Sequence, residues 1–334
     1  MKNQRFSNLV MEKRGLIMKH YVFGIDIGGT TVKCGLFTTA GELLDKWEIP
    51  TNRANGGESV PLDITQSLTA KLKEKGIDKR EVLGAGVGVP GPVTEDGTVL
   101  KCANLGWGIF NVNDKMSELL ELPVVAANDA NVAALGEMWK GGGAGYQDIV
   151  MVTLGTGVGG GIILNGKIRA GSNGGAGEIG HMIVNPEETR HCGCGGHGHL
   201  EQYASATGIA YLAEQALRET EQPSGLRNIE KIRAKDVFDQ AKEGDALALS
   251  LVDQVCEILA TALTHVAATI DPQAFVIGGG VSRAGEILTE GLKKHYGKNL
   301  LNALCGKEFC LATLGNDAGM YGSAKLMIDR AAED

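Results

Sequence analysis

A chain of 334 residues, 43% hydrophobic and 22% charged, is long enough for two moderate domains with a large core and too apolar to be disordered. Its formal net charge of −8 argues against a nucleic-acid surface, which needs a basic stripe. Seven cysteines without framework spacing favour a reducing cytoplasm, and no apolar run reaches membrane-spanning length without glycine or charge interrupting it.

Residues 1–17 have neither the apolar core nor the cleavage site of a signal peptide, and are expected to form a mobile extension ahead of Met18. From Tyr21 the pattern Y-V-F-G-I-D-I, G-G-T-T, V-K-C-G-L-F, T-A-G-E, L-L-D-K-W-E-I predicts three strands joined by glycine turns. Residues 148–168, D-I-V-M-V-T-L-G-T-G-V-G-G-G-I-I-L-N-G-K-I, repeat that design. A shift of 127 residues (155 − 28) lays Gly28 on Gly155, Asp26 on Thr153 and Leu36 on Ile163. Two such hairpins suggest a duplicated fold whose halves face each other across a cleft.

Between the hairpins, 58–75 reads as an amphipathic helix with Leu62, Leu68 and Leu72 on its apolar face. A buried strand at 82–89 runs into P-G-P, a helix covers 112–121, and a strand at 123–127 leads through Asn128-Asp129 into another helix. Beyond residue 200, helices are expected at 203–219, about 235–243 and 246–270. A strand at 274–280 is followed by a helix from about Ala284, and a last helix starts near Asp317. This alternation, with glycines at strand ends, predicts α/β sheets that bind ligands at their carboxyl edges.

The glycine clusters at 28–29, 155–161 and 278–280 can each expose backbone N–H groups to a phosphate. None has the P-loop or the dinucleotide spacing. Singly each reads as a hairpin bend; together, on a duplicated hairpin, they favour nucleotide phosphates held between two halves.

The stretch from Gly177 to Glu201 is the densest in chemistry. G-E-I-G-H at 177–181 precedes H-C-G-C-G-G-H-G-H-L-E at 191–201, a metal-binding composition. Cys192, Cys194 and His199 offer three donors and His181 a fourth, giving a closed tetrahedral zinc site of the structural kind. The choice among His191, His197 and His199 stays open. Such a site would pin the carboxylates at its ends, Glu178 and Glu201, and would leave no vacant position for a zinc hydrolase.

Taken together, D-I-G-G-T at 26–30, A-N-D-A-N at 127–131, L-G-T-G-V-G-G-G at 154–161, G-E-I-G-H, the C-G-C-G-x-x-G-x-x-E run and G-G-G-V-S at 278–282 resemble the ROK family of sugar kinases and repressors. The match runs from about Met18 to Ala331, and among family members it is most similar to the bacterial ATP-dependent glucokinases. The resemblance implies the two-lobed actin/hexokinase/Hsp70-like α/β fold, a duplicated ribonuclease H-like design with an interdomain cleft. The expected small domain is 18–127 plus about 315–334, and the large domain is 128–314 with the zinc loop.

The implied activity is ATP-dependent phosphorylation of D-glucose to glucose 6-phosphate, in the cytoplasm, by a homodimer or higher homo-oligomer. Asp129 corresponds to the general base, and Asn104, Asn128, Glu178, His181 and Glu201 to the residues that hydrogen-bond the sugar. Asp26, Gly28, Gly29 and Thr30 match a first phosphate loop, Thr156 and Gly157 a second, and Gly279, Gly280 and Asn316 the adenosine side. ATP chemistry implies Mg2+, with Asp26 the nearest carboxylate. From the residues alone, Asp129 reads as a helix N-cap.

Two positions depart from the family pattern. His199 stands where a cysteine is usual, and Thr31 where lysine often follows Thr30; Lys33, further along the strand, is not taken as its substitute. A repressor would need a helix-turn-helix domain ahead of Asp26, for which 25 residues are too few. Mannose, fructose, N-acetylglucosamine and N-acetylmannosamine remain alternative substrates.

Overall fold

Alternating apolar residues fold the first hairpin as expected. Strand β1 (Tyr21–Ile27) pairs antiparallel with β2 (Thr31–Thr38), which pairs with β3 (Leu43–Pro50). The structure, a computed structural model, describes residues 9–10, 17–100, 102, 104–298 and 300–333. Residues 1–8 and 11–16 of the expected extension lie outside the described residues; Leu9–Val10 pairs with Ile17–Met18. The described residues divide into two units. One comprises Met1–Lys140, Ile168–Ala176 and Asn316–Asp334, the other Gly141–Lys167 and Gly177–Gly315.

In the first unit, β4 (Val82–Val89) and β5 (Val124–Asn128) extend the hairpin in parallel, giving the order β3-β2-β1-β4-β5. One face of this sheet presents Phe23, Ile25, Val32, Cys34 and Val87 to helices α1 (Val60–Lys75) and α2 (Val112–Leu120). The other face carries α9 (Ala318–Glu333), whose Met320, Ala324 and Met327 cluster with Val22, Phe37 and Leu83. Glycines at every second position of β4 make this approach possible. A Cβ on Gly86 would lie 1.7 Å from the Ser323 carbonyl oxygen, so the helix backbone rests directly on the strand. Ser323 Oγ donates to the Ile25 carbonyl at 2.8 Å.

The second unit repeats the design. Strands β6 (Ile149–Leu154), β7 (Val158–Leu164), β8 (Lys167–Ile168), β9 (Ala274–Gly278) and β10 (Glu308–Leu311) lie in the order β8-β7-β6-β9-β10. The duplication is therefore present, with one correction. Ile27 faces Val32 in the first hairpin, whereas Leu154 faces Val158 in the second. The second bend is one residue tighter, so Leu36 corresponds to Ile162 and not to Ile163.

Three further expectations are corrected. Asn128–Lys140 belongs to the first unit, because β5 runs straight into α3 (Asp129–Lys140) and α3 packs on α9. The helix expected at 203–219 is two helices, α4 (Glu201–Ala204) and α5 (Ala206–Glu219), broken at Ser205, whose Oγ accepts the Gly208 N–H at 3.0 Å. Leu62 is 44% exposed, and Ile64 takes its place on the buried face of α1. Helices α5, α6 (Ala234–Lys242), α7 (Ala246–Ile270) and α8 (Glu286–His295) enclose the core of the second unit. By length and composition α7 is apolar enough to cross a membrane. Its Ala248, Leu259, Ala262 and Leu263 are fully buried, which makes it the core helix of this unit.

Candidate active site

In the first unit, the chemistry gathers where strands end. β5 delivers Asn128 and Asp129 to the head of α3, and the two divide the work of that position. Asn128 Oδ1 caps the helix, accepting the N–H of Ala130 at 3.0 Å and of Asn131 at 3.2 Å. Asn128 Nδ2 donates to the Gly91 carbonyl and to Asp129 Oδ1, both at 3.0 Å. Ala130 N–H also reaches Asp129 Oδ1, at 2.8 Å. The Asp129 carboxylate is thus oriented by two donors at a helix N-terminus. The capping expected of Asp129 falls mainly to its neighbour.

Asp26 is the penultimate residue of β1 in the same unit. Burial first, then the neighbouring charge of Asp129, push its carboxyl up to about 6, while Lys33 pulls the other way. The bend after it is closed by Gly28 N–H donating to the Thr31 carbonyl at 3.0 Å, and is held by Thr51, which bonds Gly28 and Thr30. Asn104 lies exposed on the turn Cys102–Trp107, anchored by Trp107 Nε1 donating to the Gly57 carbonyl at 3.0 Å. Burial raises the Cys102 thiol, the Leu105 and Asn104 backbone N–H groups lower it, and the Asp129 charge adds a smaller rise. Asn316 also falls in this unit, and its carbonyl accepts the Lys33 ammonium at 2.7 Å. Sequence reading overlooked Asn131, whose buried Oδ1 lacks a hydrogen-bond partner among the described residues.

In the second unit, the glycine bend Gly155–Gly157 is tied to the head of α5. Ala206 N–H donates to the Gly155 carbonyl at 2.8 Å, and Thr207 Oγ1 donates to the Thr156 carbonyl at 2.9 Å. Glu201 heads α4, and its Oε2 accepts the Val158 N–H at 3.0 Å. Gly157 leaves room for that carboxylate, since a Cβ there would lie 2.1 Å from Glu201 Oε2. Glu178 precedes the turn Ile179–His181, with its Oε2 3.9 Å from His181 Nε2. Gly279 follows β9, with φ +82°, against the Leu154 backbone. Gly280 lines a cavity of about 320 Å³ with Val281, Arg283, Phe238, Arg233 and Lys242. Of these, Val281 lies within the G-G-G-V-S motif, while Arg233, Phe238, Lys242 and Arg283 belong to no motif read from the sequence.

His181, Cys192, Cys194 and His199 bring one ligand atom each to within 4.8 Å of one another. Cys194 Sγ lies 3.3 Å from His199 Nδ1, and Cys192 Sγ 4.0 Å from His181 Nδ1. Tetrahedral zinc bonded to two sulfurs and two nitrogens separates its ligands by roughly 3.3–3.8 Å. The four residues therefore fit such an ion with little movement. Of the three histidines left open from the sequence, His199 is the one in this group. His191 and His197 form a backbone bridge with each other and do not join the group.

Two units of one sheet topology, each with a glycine bend after its first strand, define the duplicated α/β fold of the actin/hexokinase class. The chain belongs to the ROK family, whose model matches residues 22–330. It is 46% identical over 309 residues to a glucokinase of Halalkalibacterium halodurans, covering 91% of this chain and 94% of that protein. It is 34% identical over 315 residues to a glucokinase of Thermotoga maritima, covering 92% and 98%. Among solved structures it resembles a ROK family glucokinase from Streptomyces griseus in complex with glucose and AMPPNP. That match has a TM-score of 0.68 and 33% identity, covering 92% of this chain and 98% of the other.

Proposed function

We propose that the chain is a sugar kinase that transfers the terminal phosphoryl group of ATP to the 6-hydroxyl of D-glucose. The observation that carries this reading is Asp129, whose carboxylate is held by Ala130 N–H and Asn128 Nδ2 at the head of α3. A neutral alcohol attacks phosphorus poorly, and a fixed carboxylate within hydrogen-bond reach relieves it of its proton. As the O6–P bond forms, the O6 proton passes to Asp129. The bond from the terminal phosphorus to the β–γ bridging oxygen breaks, leaving ADP. Relatives named glucokinase, at 46% and 34% identity over more than nine-tenths of the chain, support glucose as the acceptor.

Asn104, Asn128, Glu178, His181 and Glu201 are assigned to the sugar hydroxyls. Asp26, Gly28, Gly29, Thr30, Thr156 and Gly157 are assigned to the phosphates, and Gly279, Gly280 and Asn316 to the adenosine side. Carboxylate oxygens suit a hard cation, so Asp26 is the residue to hold Mg2+, which would offset the phosphate charge. His181, Cys192, Cys194 and His199 would hold a structural zinc that fixes the loop between Glu178 and Glu201. Free thiols and an ATP substrate support a cytoplasmic location, and family likeness supports a homodimer.

ADP release by the purified protein, measured with glucose, mannose, fructose, N-acetylglucosamine and N-acetylmannosamine, tests the reading. Glucose is expected to give the highest kcat/KM. A better alternative hexose would replace the acceptor, and no release with any of them would remove the kinase.

A further inference from the structure

The register of the first hairpin sets Lys33 directly opposite Asp26, and Glu48 opposite Lys33 on the next strand. Residues paired across antiparallel strands project to one face, so the Lys33 side chain shares the Asp26 face. Position 31, two residues back on β2, faces the same way. The Lys33 ammonium donates to the Asn316 carbonyl at 2.7 Å, which binds the turn ahead of α9 to this face.

The surroundings of Asp26 explain why a cation belongs there. Asp129 approaches from the head of α3, and its negative charge reaches the Asp26 carboxyl. β4 and α9 present Gly88 and Gly319, which bring no charge of their own. Glu48 lies beyond Lys33 on β3, and Lys46 is engaged by Asp317 at 2.6 Å. Lys33, opposite Asp26 in the register, is the positive charge among the described residues that acts on the Asp26 carboxyl. A phosphate chain approaching two carboxylates is repelled unless positive charge is already in position.

We infer that Lys33 is a positioning residue for phosphoryl transfer, holding positive charge beside the Asp26–Asp129 pair and lashing Asn316 to the same strand end. This rests on the kinase reading above. The experiment therefore begins with wild-type turnover of glucose and ATP: without it the kinase reading fails, whatever Lys33 does. Given an active wild type, Lys33→Met should lower kcat by about a hundredfold and raise the KM for ATP, leaving the KM for glucose within about twofold. Lys33→Arg, which keeps the charge, should recover most of the loss. Adding Thr31→Lys to Lys33→Met should recover at least about tenfold, because both positions face one way. The idea is overturned if Lys33→Met keeps a third or more of wild-type kcat, or if its loss falls on the KM for glucose. Should Lys33→Met not fold, the arginine variant decides: near-wild-type turnover supports the role, and a folded but inactive arginine variant contradicts it.

Discussion

Cys192 Sγ lies 3.3 Å from Glu201 Oε1 and donates its thiol proton to it, while the other oxygen of that carboxylate accepts the Val158 N–H. Glu201 is therefore shared between the cysteine loop and the glycine bend of the second hairpin. A metal bound by Cys192 takes the thiolate and displaces that proton. Loading the site would thus remove the S–H donor and free Oε1 of Glu201, a residue the proposed function assigns to the sugar hydroxyls.

Metal and sugar should accordingly be coupled. Stripping the protein with a chelator is expected to weaken glucose binding by roughly tenfold or more, with recovery on adding zinc. Calorimetric titration of the metal-free and zinc-loaded protein with glucose checks this. Equal affinities would dissociate the cysteine loop from the sugar.

Two glycines that look alike in sequence should behave differently. A methyl on Gly157 meets Glu201 Oε2 at 2.1 Å, so Gly157→Ala must displace that carboxylate. The expected result is a raised KM for glucose. Gly29 has nothing within 4 Å of an added Cβ, and its φ is not in the left-handed region. Gly29→Ala should therefore keep the wild-type Tm and raise the KM for ATP, because only an incoming phosphate would meet the methyl. An unchanged KM for ATP would remove Gly29 from the phosphate loop.

Asp26 should cost stability in its working form. Its carboxyl titrates at about 6 in the folded chain against an ordinary value of 3.8, with burial as the main cause. The folded protein holds more protons between these values, so its stability is greatest below the lower one and falls as pH rises towards 6. Above that, the ionised carboxylate costs at most roughly 3 kcal/mol. Asp26→Asn should then unfold at higher denaturant than wild type at pH 7.5, with a smaller gain at pH 4.5, and should lose activity. The same gain at both pH values would contradict a titrating Asp26.

Much of this was legible in the sequence because backbone punctuation and ligand chemistry are local. The glycine bends after Ile27 and Leu154 announced both hairpins, and clustered thiols and imidazoles pointed to the residues that gather as His181, Cys192, Cys194 and His199. Three features depended on pairing that no local pattern carries. Strand β10 is only Glu-Phe-Cys-Leu, defined by its parallel partner β9. Lys33 was set aside by its distance along the strand, whereas the register places it across from Asp26. The place of His199 rather than His191 or His197 in the cysteine group follows from where its ring lies, with Nδ1 3.3 Å from Cys194 Sγ.

The general base is where the proposed function is most exposed to test. Asp129→Asn preserves the shape of the side chain at the head of α3 but removes its capacity to take a proton. Turnover and calorimetric glucose affinity should be measured on the same preparation. The expected result is a fall in kcat of at least about a thousandfold, with glucose affinity within a few-fold of wild type. Near-normal turnover in that variant would contradict the account.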